Sequence, residues 1–403
     1  MVRITRRDFL KYCSIAAGAL GLSTSTLMKL ESAHAKSVNN GGIPVVWISG
    51  AACTGCTMTL LNSRFFTTVD DLLLNRLDLR YLDTAMATAG AFVNGVEYTG
   101  ANALLEARYV YSNLPYVLVV EGGIPVGSPE GTVGALNGEF CEIGELVPGD
   151  TNATMLNVTR KFAANPKCAA VLAVGTCSSF GGVPGAKGNV TNCRGLLYQG
   201  TRSAKGALND PTLGTPISKP VVNISGCPPH PDWIVGTIAH ILDTLGTGVA
   251  DYLAGDAQAL VNSLPSLGWY NRPTDYGYRE YQCNAGPCPW RYNNTANRRL
   301  YDSASRGTGA VTAEPYYNAR YPVGDSRMLG RKKWTVNDHT NVGCLGILGC
   351  KGRKTKADCS RRRWNTDIAE EYGVNWCVGS RGNCHGCTEP TFPDKVGKFY
   401  TFA

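Results

Sequence analysis

The chain has 403 residues, 43% apolar and 17% charged, with a net charge of +8. That is enough apolar sequence for a sizeable core and about two domains. The modest charge, with no recognition motif beside it, excludes nucleic acid as the expected partner. After the N-terminal segment no stretch reaches about 18 uninterrupted apolar residues, which excludes a membrane span in the mature chain.

In chain order, the first element is a targeting segment. The stretch RITRRDFLKYCSIAAGALGLSTSTLM pairs Arg6 with Arg7 ahead of a weakly apolar run of small residues, and SAHA follows at 32–35. This pattern is similar to a twin-arginine (Tat) export signal, residues 1–35, cleaved after Ala35. Its removal leaves a net charge of about +5.

From 40 to 245 short apolar runs alternate with longer amphipathic or polar stretches. The runs are PVVWISG (44–50), DLRYLD (78–83), YVLVVEG (116–122), AAVLAVG (169–175) and KPVVNISG (219–226). Their length and β-branched content predict buried parallel strands. PDWIVGTIAHILDTL (231–245), with a proline at its start, predicts an amphipathic helix. The predicted fold is α/β, a flavodoxin-like doubly wound parallel sheet. No G-x-G-x-x-G follows the first run, so a dinucleotide-binding dehydrogenase is unsupported. In such sheets ligands gather beyond the carboxyl ends of the strands. Cys53 and Cys56 follow the first run, Glu121 ends the third, Cys177 follows the fourth and Cys227 the fifth. Residues far apart in sequence are therefore expected on one edge.

From 246 to 403 apolar periodicity fades, Gly, Pro, Asn, Arg and Trp become common, and eight of the sixteen cysteines fall here. There is too little alternation for a conventional core. Such a domain can be held by metal centres, because the binding energy of the group becomes folding energy.

Sixteen cysteines in an exported chain would ordinarily predict disulfides. A twin-arginine signal argues otherwise, since that route carries proteins folded in the reducing cytoplasm, and thiols ligated before export need not oxidise. Twelve of the thiols divide into three sets of four. Four-thiolate sites mean zinc or iron–sulfur. The first set spans 175 residues with single cysteines at strand ends, unlike a compact zinc ribbon. Cys13 lies in the signal, and Cys141, Cys168 and Cys193 read as ordinary buried or loop thiols.

Several motifs, in order, carry a resemblance: CTGC (53–56), LDTAMATAG (82–90), VEGGIP (120–125), GTCSSFGGV (175–183), GCPPHPDWIVGT (226–237), GCLGILGCKG (343–352) and NCHGCTEPTFPD (383–394). From about residue 43 to its end the chain resembles the small, electron-transfer subunit of periplasmic nickel–iron hydrogenases. The resemblance implies a separate large subunit holding the nickel–iron site, and three iron–sulfur clusters here that relay electrons to an external carrier, a c-type cytochrome or a membrane cytochrome subunit. It implies a proximal cluster on Cys53, Cys56, Cys177 and Cys227, a distal cluster on Cys288, Cys344 and Cys350, and a medial cluster on Cys359, Cys384 and Cys387. It also implies a periplasmic location, with membrane association only through a partner.

Three departures refine that expectation. The family commonly has a histidine as first distal ligand; here Cys283 occupies about that place, as a fourth thiolate or as a bystander. Many members have a proline after the tryptophan matched by Trp376; here Cys377 follows, and can complete a four-iron medial cluster in place of a three-iron one. Three 4Fe-4S clusters are therefore expected. The oxygen-tolerant branch has two extra thiols around its proximal cluster, where this chain has Gly55 and Gly182, which argues against a six-thiolate centre.

His230 beside Cys227 and His385 beside Cys384 read as packing, loop or hydrogen-bonding residues rather than ligands. Glu121 is either a structural residue or one that faces the partner near a proton route. The basic run at 327–363 (Arg327, Arg331, Lys332, Lys333, Lys351, Arg353, Lys354, Lys356, Arg361, Arg362, Arg363) is either a solvated face or a docking patch for an acidic redox partner. Two other functions are compatible with parts of the chain: the related cluster-binding subunit of a complex I-like oxidoreductase, and a non-enzymatic exported metal-binding scaffold.

Overall fold

The structure is a computed structural model. It describes residues 43–63, 77–84, 92–93, 96–97, 103–128, 136–231, 233–235, 237–238, 350–352, 355, 357, 359, 377 and 382–394. The twin-arginine segment, Cys283, Cys288, Cys344 and most of the basic run lie outside the described residues. The chain divides into two compact units, Met1–Gly277 with Cys387–Phe392, and Tyr278–Gly386 with Pro393–Ala403.

The first unit is built on a five-stranded sheet. Its strands are β1 (Ile43–Ser49), β2 (Leu77–Leu82), β3 (Tyr116–Glu121), β4 (Cys168–Val174) and β5 (Val221–Ile224). Each of the five apolar runs became one strand. All neighbouring pairs are parallel, in the order β5-β4-β3-β1-β2. Read from the other edge this is 2-1-3-4-5, the flavodoxin-like order. β3, β4 and β5 are buried at every residue, which is why they read as continuous apolar runs rather than alternating ones.

One face of the sheet carries the larger core. Val46, Ile48, Leu118, Val120, Val171, Ala173 and Val221 share it with Ala103, Ala107 and Val110 of α2 (Ala103–Asn113) and Met155, Val158 and Phe162 of α3 (Met155–Ala164). Thr154 caps α3, its hydroxyl accepting from the Asn157 N–H at 3.2 Å. The predicted helix from 231 is present at residues 231, 233–235 and 237–238; the rest of it lies outside the described residues.

Candidate functional site

The strand order reverses between β1 and β3, the point of such a sheet at which ligands gather beyond the strand ends. The Gly50 N–H donates to the Glu121 carbonyl at 2.9 Å, and Ala51 bridges to Gly123. The β1 loop thus lies along the end of β3 before α1 (Gly55–Leu60) begins. Thr54, between the two cysteines, holds φ 65°. That left-handed backbone is uncommon for a β-branched residue and turns the chain sharply into α1.

Glu121 anchors this turn. Its carboxylate is 1% exposed. It accepts the Cys56 and Thr57 N–H groups, each at 3.0 Å, the Thr57 hydroxyl, and the Trp47 indole N–H at 3.3 Å. The first N–H groups of a helix have no partner within it; here a buried strand-end carboxylate takes two of them. Of the two roles open in the sequence, the observed contacts are those of a structural anchor. Asp83 does similar work next door, accepting the Ser49 N–H and hydroxyl at 2.9 Å each. Burial pushes its pKa up, against those hydrogen bonds.

Cys177 lies in α4 (Thr176–Phe180), which starts where β4 ends, and Cys227 follows β5. Thr176 ties the two loops: its N–H donates to the Gly226 carbonyl at 2.9 Å, and its Oγ1 accepts the Gly226 N–H at 2.9 Å. The same hydroxyl donates to the Cys387 carbonyl. Cys177 and Cys227 lie within hydrogen-bond reach of each other, a contact that holds the Cys227 thiol down and pushes the Cys177 thiol up. Burial first, then the charges of Glu121, Cys227 and Cys53, push the Cys56 thiol well above its ordinary value. Cys53 and Cys227 are exposed, Cys177 is half-buried and Cys56 buried. The four thiols predicted to share one edge do so.

Glycines make room for the sulfurs. A Cβ on Gly175 would lie 2.6 Å from the Cys56 Sγ, on Gly182 2.8 Å from the Cys177 Sγ, and on Gly55 3.1 Å from the Cys53 Sγ. Gly175 has φ 93° and ψ 157°, a conformation open essentially to glycine alone. Gly55 and Gly182, singled out as the places where extra thiols would sit, therefore adjoin Cys53 and Cys177 respectively.

Among the described residues, no three His, Cys, Asp or Glu side chains meet closely enough to hold one metal ion. Four thiols gather beyond the strand ends, and glycines clear space at three of the sulfurs. A donor set of four thiolates is one that an iron–sulfur cluster takes.

In the second unit, Cys350 and Cys384 adjoin: the Cys384 N–H donates to the Cys350 Sγ at 3.3 Å. A residue assigned to the distal set thus touches one assigned to the medial set. Cys359 is half-buried. Cys377 is exposed and stands in a turn closed by the Gly382 N–H on its carbonyl at 2.7 Å. Lys351, counted in the basic run, is only 4% exposed and is no part of a solvated face. His385 is exposed. His230 is buried and packs at 5.8 Å on the Trp233 ring, the packing role expected of it. None of the twelve described cysteines is in a disulfide, including Cys141, Cys168 and Cys193.

Sequence reasoning missed Trp47, Thr57 and Thr176 as supports of the site. Thr176 alone had a local signal, its place between a strand-end glycine and a cysteine.

Residues 53–241 match the family described as "NADH ubiquinone oxidoreductase, 20 Kd subunit", and residues 329–400 match the C-terminal family of the "NiFe/NiFeSe hydrogenase small subunit". The chain is 31% identical to the periplasmic [NiFeSe] hydrogenase small subunit of Desulfomicrobium baculatum, over 98% of each chain. It is also 31% identical to the quinone-reactive Ni/Fe-hydrogenase small chain of Wolinella succinogenes, over 98% of this chain and 83% of that one. Among solved structures, the [NiFeSe] hydrogenase from Desulfovibrio vulgaris Hildenborough aligns with a TM-score of 0.59 at 32% identity, covering 89% of this chain and 98% of that one.

Proposed function

Since this chain belongs to the small subunits of nickel–iron and nickel–iron–selenium hydrogenases, we propose that it relays electrons between a nickel–iron site in a separate large subunit and an external carrier. The reaction served is H2 + acceptor = 2 H+ + reduced acceptor. The observation that carries the reading is the convergence of Cys53, Cys56, Cys177 and Cys227 at the sheet's switch point, with glycines clearing space at three of the sulfurs.

Three iron–sulfur clusters, each 4Fe-4S, supply one-electron carriers when bound. The proximal one is held by Cys53, Cys56, Cys177 and Cys227, the medial one by Cys359, Cys377, Cys384 and Cys387, and the distal one by Cys283, Cys288, Cys344 and Cys350. The residues around them position and insulate. Glu121 fixes the backbone that aims Cys56, and Thr176 locks the Cys177 and Cys227 loops together. The burial that disfavours a bare Cys56 thiolate is offset when iron binds it, since metal ligation requires the deprotonated sulfur.

Exposed apolar side chains flank the site: Met58 is 53% exposed, Leu61 42% and Val183 54%, beside the exposed Cys53 and Cys227. They suit a permanent interface with the large subunit. A c-type cytochrome or a membrane cytochrome subunit is the proposed electron partner. The relatives named periplasmic, together with Arg6 and Arg7, support export by the twin-arginine route. No helix among the described residues is long and apolar enough to cross a membrane. A complex I-like role fits residues 53–241 alone and leaves the match at 329–400 without a purpose.

The test is iron and sulfide analysis of the purified two-subunit complex, with H2 oxidation assayed on the complex and on the chain alone. Twelve thiolates on cubanes predict about twelve irons, four per cluster, with activity in the complex and none in the isolated chain. H2 activity from the isolated chain, or a complex without iron, would overturn the proposal.

A further inference from the structure

The second unit holds a small buried polar cluster around Cys384. Thr355 is 1% exposed, and Cys350 and Cys384 are each 5% exposed. The Lys351 N–H donates to the Cys384 carbonyl at 2.6 Å. The Thr355 Oγ1 donates to the Lys351 carbonyl at 2.9 Å and stands 3.5 Å from the Cys384 Sγ, accepting its S–H. The three groups form a relay: thiol to hydroxyl, hydroxyl to carbonyl.

That relay has one direction only while the sulfur carries a proton. A hydroxyl has a single hydrogen and two lone pairs. Once Cys384 ligates iron its sulfur has no proton to give, and the Thr355 lone pair would face a thiolate. Rotation of the hydroxyl alone, with no heavy atom moving, aims its hydrogen at the sulfur instead and releases the Lys351 carbonyl. A hydrogen bond to a charged acceptor is about twice as strong as one between neutral groups, so of the two acceptors within reach the thiolate outcompetes the Lys351 carbonyl.

We propose that Thr355 donates a hydrogen bond to the Cys384 thiolate and thereby raises the reduction potential of the cluster that Cys384 holds. This rests on the reading of Cys384 as a cluster ligand. Reduction adds negative charge to the cluster and its sulfurs, so a donor bond there stabilises the reduced form more than the oxidised one. Thr355 is a positioning and tuning residue; it binds no iron.

The experiment is a potentiometric titration, followed by electron paramagnetic resonance, of the purified two-subunit complex with its iron and sulfide content measured in parallel. In Thr355→Val the equilibrium constant for one-electron reduction of one cluster should fall about tenfold, a drop of about 59 mV by the one-electron conversion. The other clusters should titrate as before, and Thr355→Ser, which keeps the donor, should match the unmodified chain. If Thr355→Val does not assemble, Thr355→Ala set against Thr355→Ser decides on the same sign. Fully iron-loaded variants with unchanged potentials would overturn the role of Thr355 while leaving the ligand reading intact. An unmodified complex without iron would overturn both.

Discussion

At the scale of single residues, Glu121 is the most connected side chain of the proximal site. It accepts from Trp47, Cys56 and Thr57 while almost wholly buried. Hydrogen bonds to a charged group contribute about 1.5–3 kcal/mol each, and a buried donor left unmet costs about 1–3 kcal/mol. Glu121→Gln keeps the shape, removes the charge and points N–H where an acceptor stood. It should lower unfolding stability by about 2–4 kcal/mol by denaturant titration. It should also raise the proximal cluster's potential, because a negative charge near the cluster disfavours reduction; an unmoved potential would show that the carboxylate does not act on the cluster. Cys377 is informative for another reason. It is exposed, in a turn closed by the Gly382 N–H on its carbonyl. In the unmodified complex no stoichiometric three-iron signal is expected. Cys377→Pro should create one, with a raised medial potential and an assembled nickel–iron site. A full three-iron signal in the intact unmodified complex would show that Cys377 is not a ligand.

At the scale of elements, the sheet works because its strands obey one period on the core face and its helices another. Phe162 of α3 is where they meet. It is fully buried, its ring lies 4.9 Å from that of Tyr111 and 5.7 Å from that of Tyr116, and its carbonyl accepts the Tyr116 hydroxyl at 2.8 Å. Burial drives the Tyr116 phenol far above its ordinary pKa, so it stays a neutral donor at any physiological pH. Phe162→Ala should destabilise the chain by about 3–5 kcal/mol. Because Phe162 of α3 packs on Tyr116 at the amino end of β3, while the four cysteines follow the carboxyl ends of the strands, cluster potentials measured below the unfolding transition should not move. A shifted proximal potential would mean that the helical layer and the strand ends are mechanically coupled. The β4–α4 junction shows the opposite case, where element and site are inseparable. Gly175 ends the strand in a conformation only glycine holds easily, and the same absent side chain leaves space for the Cys56 sulfur.

At the scale of the whole molecule, the expectation is one export event for two subunits. With Arg6→Lys and Arg7→Lys together, the complex should stay in the cytoplasm with its clusters intact, assayed as H2 oxidation in cell fractions. Normal periplasmic activity in that double variant would refute the twin-arginine assignment. Much of this was legible in the sequence. Five runs set the five strands: β3, β4 and β5 are apolar throughout because they are buried at every residue, whereas β2, at the sheet edge, carries Asp78 and Arg80. The order of cysteines after those runs set which residues lie at strand ends, because parallel strands point all their carboxyl ends one way. The motifs from CTGC to NCHGCTEP set the family. What only tertiary structure decided is how side chains meet across long separations. Glu121 reaches Cys56 over 65 residues, and Thr176 reaches Cys387 over 211. Cys384 meets both Cys350 and Thr355. No periodicity encodes such contacts. They arise where loops of no regular pattern must satisfy buried hydrogen-bonding groups, and the partner each group finds depends on which distant segment the fold has brought beside it.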